Sequence, residues 1–245
     1  MRLICFMQDI QPRLQTYGEK FNQLWKQFQN GYEPPVYNPE QATECNGRKN
    51  SFMLSIRIEQ SEITKRIQYI TDQIRNIPGV YIMPTEYYHI TVKWLGFLTD
   101  RRHYDYDIEP HTLEQIIEQA GQILSQIPEF SVRLGSVNGL ASFIIIEAED
   151  NGAIAQIQGR FHEDATLVPN YAIEGEKWLP HLSIAGLKSQ EGLKEIKVRM
   201  NELRNVEIGE LWVPCIDLSQ AILQKPCPQC RIVRSFPLLH RDLPA

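Results

Sequence analysis

Two short stretches carry residues whose types and spacing suit acid/base chemistry at phosphorus. His89-Ile90-Thr91-Val92 is echoed 92 residues later by His181-Leu182-Ser183-Ile184. Each copy reads imidazole, apolar, hydroxyl, apolar. On a β-strand successive side chains alternate faces, so His89 and Thr91 share one face and His181 and Ser183 another. A single such strand would describe an ordinary core histidine; two copies describe a pair. Two imidazoles flanking one reacting centre can act as base and acid in a single displacement, since histidine titrates near neutrality. Two neighbouring hydroxyls can hydrogen-bond oxygens that gain negative charge. Attack of water on a phosphodiester uses all four groups: one His takes a proton from water, the other protonates the leaving ribose oxygen, and no metal is required.

The elements that must position these strands repeat in order. In the first half, alternating apolar residues at Phe52–Ile58 predict a strand. A helix follows from Ser61, with Ile63, Ile67, Ile70, Ile74 and Ile77 on one face, stopped at Pro78-Gly79. The His89 strand comes next. In the second half, a strand at Phe143–Ile146 and a helix carrying Ile154, Ile157, Phe161 and Ala165 precede the His181 strand. Phe52 to His89 is 37 residues and Phe143 to His181 is 38. Each half continues with a helix and a strand. In the first, Thr112 and Gln115 resemble a capping box ahead of a stripe from Leu113 to Ile127, followed by Phe130–Leu134. In the second, Leu193, Ile196, Met200 and Leu203 lead to Val206–Ile208. The first copy carries an insertion, a loop from Leu98 to His111 that reads as a solvated excursion or a lid over the groove. The pattern predicts a duplicated α+β body of two pseudo-symmetric antiparallel-sheet lobes, helices outside and a groove between them.

Residues 1–50 read as an extension packed on the main body at 51–245. It opens with a helix at 11–29 (Leu14, Tyr17, Phe21, Leu24, Trp25, Phe28) and continues as a polar segment punctuated by Pro34-Pro35, Asn38-Pro39 and Asn46-Gly47. Arg48 and Lys49, at its end, read as an exposed pair or as cations facing a phosphate. Residues 211–245 predict strand-like runs at Leu211–Val213 and Ile232-Val233 and a proline-rich tail. Cys227-Pro228-Gln229-Cys230 has the spacing of half a zinc site that Cys215 and His240 could complete; without a second Cys pair, reduced thiols and no metal are the expectation.

The formal charge of −5 over 245 residues argues against a general electrostatic grip on long nucleic acid. No apolar run approaches the ~20 residues that cross a bilayer. The amino-terminal run is short for a signal peptide, and five cysteines make no disulfide framework. A reducing, cytoplasmic setting is expected, with no cofactor and no obligate protein partner.

Tyr88-His89-Ile90-Thr91-Val92-Lys93-Trp94-Leu95-Gly96 and Trp178-Leu179-Pro180-His181-Leu182-Ser183-Ile184-Ala185 resemble the two signature motifs of the 2H phosphoesterases, which include the 2′-5′ RNA ligase-like enzymes and cyclic phosphodiesterases. The resemblance covers about residues 51–222, and Ser183 stands where Thr is commoner. It implies a bilobal fold, His89 and His181 as the acid/base pair, and Thr91 and Ser183 as donors to phosphate oxygens. Strand parity makes Lys93 either a phosphate contact or a surface lysine at a strand end, and Tyr87 either a stacking surface for a base or a packing residue, and puts Trp94 and Trp178 in the core. The expected activity is metal-independent hydrolysis of a cyclic phosphate or a 2′-5′ phosphodiester on a nucleotide or RNA end. RNA end-joining, the same transesterification reversed, and a nucleotide-binding module without turnover are the alternatives.

Overall fold

The computed structural model describes residues 17–31, 33–37, 47–165, 178–224 and 227–240. Its main body alternates strands and helices: β1 (Asn50–Arg57), α1 (Ser61–Ile74), β2 (Val80–Ile82), β3 (His89–Leu98), β4 (Asp107–Ile108), α2 (Pro110–Leu124) and β5 (Phe130–Leu140). There follow β6 (Phe143–Glu149), α3 (Ala153–Asp164), β7 (His181–Leu187), α4 (Leu193–Leu203), β8 (Gly209–Val213), β9 (Cys215–Ile222) and β10 (Gln229–Pro237). The sheet order is β10-β9-β1-β3-β7-β6-β5-β8, with β2 beside β7 and β4 beside β3. All pairings are antiparallel except β3 with β4.

The two lobes are therefore four strands each along this path, and they meet where β3 lies against β7. That seam holds a single residue pair, Ile90 with Leu182. The lobes exchange strands: β5, which closes the first half of the sequence, pairs with β6, while β9, from after the second half, fills the equivalent place beside β1. The helices also cross over. α1 and α4 pack together against β7 and β5, and α2 and α3 pack together against β10 and β3. Their apolar stripes are the ones the periodicity predicts. Ile63, Ile67, Ile70 and Ile74 of α1 are buried, as are Ile196, Met200 and Leu203 of α4. α2 begins three residues earlier than its capping-box reading, at Pro110 with Glu109 as N-cap, and the fixed φ of proline suits the first helical position.

One sequence expectation needs correction: Val206–Ile208 is a lead-in, with the strand beginning at Gly209. The expected strand-like runs at Leu211–Val213 and Ile232-Val233 fall within β8 and β10, and β10 forms with β9 a hairpin at the edge of the first lobe that runs to Pro237. Among the described residues, no helix is long and apolar enough to cross a membrane.

Residues 17–29 are helical and lie on the second lobe, with Phe21 and Phe28 buried. Asn138 donates to the Phe21 carbonyl (2.9 Å), and the Phe28 ring sits so close over Gly139 that an added Cβ would run into it. Tyr37 donates its backbone N–H to the Leu187 carbonyl at the end of β7. The Leu14 end of the expected helix and the Asn38-Pro39 turn lie outside the described residues.

Arg48 is neither exposed nor turned to a ligand. Its Nε and Nη2 donate to the two carboxylate oxygens of Asp107 at 2.6 and 2.8 Å, and both side chains are out of solvent. Asp107 also accepts the backbone N–H groups of His103 and Tyr104. The guanidinium lies over Tyr104 and Tyr106, at 4.7 and 5.1 Å from their centroids. The 98–111 loop thus folds around Arg48. Gly96 admits this: its φ is +133°, and an added Cβ would collide with the Tyr106 carbonyl oxygen.

Candidate active site

β3 and β7 place the two motifs at the seam. Antiparallel register extended one residue either side of the Ile90–Leu182 pair sets His89 towards Ser183 and Thr91 towards His181. Ile90 and Leu182 are fully buried among the helices, so the four polar side chains lie on the opposite, concave face. The two histidines occupy one diagonal of this square and the two hydroxyls the other. Diagonal cross-strand neighbours are about 7–8 Å apart, a gap that accommodates a phosphate.

Both imidazoles are held the same way. His89 Nδ1 donates to the Tyr87 carbonyl (2.6 Å), and His181 Nδ1 donates to the Leu179 carbonyl (2.7 Å). A carbonyl oxygen only accepts, so each Nδ1 carries a proton and each neutral ring presents a bare Nε2. Burial pushes His89 down to about 4, against the opposing pull of its carbonyl bond and with a smaller push from the charge on His181. Burial likewise lowers His181, again opposed by its carbonyl bond. The pair rests neutral near pH 7. Negative charge placed between the rings would favour a proton on one of them.

The two hydroxyls reach the same face. Thr91 Oγ1 touches the Met53 sulfur at 3.9 Å, a weak acceptor that a phosphate oxygen readily replaces. Ser183, like Thr91, is half-buried.

The concave face continues onto β1, where Arg57 stands opposite His89 and Ser55 opposite Thr91. Ser55 and Ser219 of β9 share a buried hydroxyl–hydroxyl bond of 2.7 Å. Beside His89 opens a cavity of about 500 Å³, walled in part by Ser55, Arg57, Thr85, Ser219 and Cys230. Burial raises the Cys230 thiol to about 11, so it stays protonated there. On the other side, Glu147 stands opposite His181, with its carboxylate held by Arg204 and Asn138 at 2.6 Å each.

Several expectations shift at two irregularities in β3. Val92 and Leu95 are extra residues between paired positions, and each bulge reverses or restores the alternation of faces. Lys93 therefore pairs with Leu54, on the buried side of the sheet, where it is 1% exposed. It is not on the face of His89 and Thr91. Trp94 pairs with Met53 and returns to the concave face, donating Nε1–H to Ser51 at 2.7 Å. Gln158 of α3 donates to the Val92 carbonyl (2.8 Å), supplying a partner at the bulge. Tyr87 stands at the site, but its ring meets the His89 imidazole edge-on, centroids 5.0 Å apart. Trp178 is partly buried against the core, near His181.

The conjectured zinc set is not assembled. Cys215 pairs with Pro237 and Cys230 with Ala221, so the two thiols lie at opposite ends of one hairpin, about 20 Å apart at strand rise. His240 is bonded to Glu129. Among the described residues no group of three or more His, Cys, Asp or Glu is placed to hold a metal ion. Arg57, Ser55 and Ser219 escape the sequence reading. The alternation in β1 marks Arg57 and Ser55 as one face, but nothing in the sequence names β3 as the neighbour of that strand.

A bilobal antiparallel sheet with one His-x-hydroxyl strand per lobe is the architecture of the 2H phosphoesterases. Residues 67–213 match the family model of the 2′-5′ RNA ligase superfamily, and the chain belongs to that family. Solved structures agree in fold. The TT0787 protein of Thermus thermophilus is 16% identical with a TM-score of 0.58, the match covering 78% of this chain and 99% of that one. Apo LigT of E. coli is 12% identical with a TM-score of 0.56, covering 79% and 99%. LigT of E. coli complexed with 3′-AMP is 12% identical with a TM-score of 0.55, covering 78% and 99%. Among curated proteins none matches the chain in sequence.

Proposed function

We propose that the seam groove hydrolyses a cyclic phosphate or a 2′-5′ phosphodiester on a nucleotide or RNA end. The observation that supports this reading is the antiparallel Ile90–Leu182 pair, whose register favours a common sheet face for His89, Thr91, His181 and Ser183. Water loses a proton to the bare Nε2 of one histidine, attacks phosphorus, and the leaving ribose oxygen takes a proton from the Nε2–H of the other. Thr91 and Ser183 donate to the non-bridging oxygens as charge builds there. With a ribose 5′-hydroxyl in place of water, the same groups serve end-joining: one histidine takes the 5′ proton, the 5′ oxygen attacks a 2′,3′-cyclic phosphate, and the displaced 3′ oxygen takes a proton from the other. End-joining is the second reading, favoured by the match to the 2′-5′ RNA ligase superfamily. Solved LigT complexes with ATP, phosphate and 3′-AMP support a nucleotide ligand. The same proposal takes residues 1–50 as an extension of a body at 51–245, and a cytoplasmic location.

The test offers the purified protein, in EDTA, 2′,3′-cyclic nucleotides, RNA with a cyclic-phosphate end and 2′-5′-linked oligonucleotides. Turnover of at least one is expected, with His89→Ala and His181→Ala each slowing it by roughly 10²–10⁴-fold. Binding of these ligands without turnover by the intact protein would overturn the enzymatic reading. Activity lost on chelation would overturn the metal-free one.

A further inference from the structure

With Lys93 turned to the buried side, the cation nearest His89 in the strand register is Arg57. Its guanidinium is held differently from those of Arg48 and Arg204, which sit in largely buried ion pairs. Arg57 Nη2 pairs with Glu59 at 2.7 Å, and the two side chains are 46% and 65% exposed. Such a contact is exchanged for another anion at little cost. Arg57, Glu59 and His89 all line the cavity of about 500 Å³, with the hydroxyls of Ser55, Thr85 and Ser219 in the same wall.

We propose that Arg57 and this cavity form a subsite for a second phosphate, so that the substrate is the end of a nucleotide chain and not a lone cyclic mononucleotide. The inference rests on the reaction proposed above. A phosphorus centred over the β3–β7 seam lies about one and a half strand spacings, roughly 7 Å, from the line of β1. That is comparable to the step from one phosphate to the next along a nucleotide chain. The nucleoside between the two phosphates then faces the cavity beside His89, whose hydroxyl-rich wall suits a ribose. Arginine's planar fork matches a phosphate bidentately. A cyclic mononucleotide has one phosphorus and cannot occupy both places. Glu59 holds Arg57 in the absence of substrate.

The experiment compares adenosine 2′,3′-cyclic phosphate with an adenylyl dinucleotide ending in a 2′,3′-cyclic phosphate, on the wild type, Arg57→Gln and Glu59→Gln. A charge-assisted contact predicts a preference in kcat/KM for the dinucleotide of about tenfold or more, collapsing towards unity in Arg57→Gln. Glu59→Gln releases the guanidinium and raises the preference. If the Arg57–Glu59 pair were merely structural, the two variants would weaken the protein alike. That result, equal losses on both substrates, or no preference in the wild type would overturn the proposal. Should neither substrate turn over, hydrolysis of a cyclic phosphate is refuted and calorimetry decides the subsite alone. Adenosine 3′,5′-bisphosphate should then bind about tenfold more tightly than adenosine 3′-monophosphate, with the margin lost in Arg57→Gln. Equal affinities would overturn it.

Discussion

Replacing His89 by glutamine should make the protein more resistant to acid, relative to its own stability at neutral pH. Burial holds the imidazole at about 4 in the folded state, against an ordinary 6.5 in the unfolded chain. Between those values the unfolded chain binds more protons, so stability falls as pH drops from 6.5 towards 4. At 1.36 kcal/mol for each pKa unit, the full gap is worth about 3 kcal/mol, of which about 2.5 is lost by pH 4.5. Glutamine does not titrate, so its stability curve should lack that component. His181, lowered in the same direction, keeps its own share in both proteins. The assay is urea unfolding at intervals from pH 7.5 to 4.5. The constant offset from the lost Tyr87 carbonyl bond cancels, because only the pH-dependent difference is read. Parallel curves, differing by less than about 0.5 kcal/mol across that range, would refute the account of the site as a desolvated pair.

Other outcomes follow from the same geometry. Asp107→Asn leaves the Arg48 charge buried without its partner and should cost about 3–5 kcal/mol in thermal or urea unfolding. Arg48→Met combined with Asp107→Leu should recover most of that loss. The Asp107 carboxyl, held at about 2 chiefly by the Arg48 bond, adds stability that is present above its ordinary value of 3.8 and fades as pH falls through 2. Its window lies below that of His89. Thr91→Val and Ser183→Ala should each lower kcat by roughly 10–10³-fold if the hydroxyls act on charge that develops in the reaction. A rise in KM with kcat unchanged would assign them to ground-state binding instead.

The helices and the paired motifs are legible in the sequence because their signals are local and periodic. The isoleucines of α1 recur at helical spacing, and the two His-x-hydroxyl strings can be aligned by eye. The sheet is only half legible. That β5 and β9 each cross to the other lobe depends on pairings such as Leu134 with Gly209 and Asn50 with Ile222, between distant segments that no local pattern joins. Alternation puts Lys93 and Trp94 on the wrong faces for a specific reason. It assumes an unbroken ladder, and the bulges at Val92 and Leu95 each add a residue to one side. Arg48 and Asp107 cannot be matched from sequence because both sit in segments that read as solvated loops.

The single rung at Ile90–Leu182 has a geometric consequence. His89, Thr91, His181 and Ser183 are the corners of a parallelogram centred on that rung. If one lobe slides along the other, one diagonal lengthens while the other shortens. Any slip that tightens the alcohols on a phosphate spreads the imidazoles, and the reverse slip draws the imidazoles in and frees the oxygens. In the reaction proposed above, grip and proton transfer would then share one coordinate, the offset between two strands.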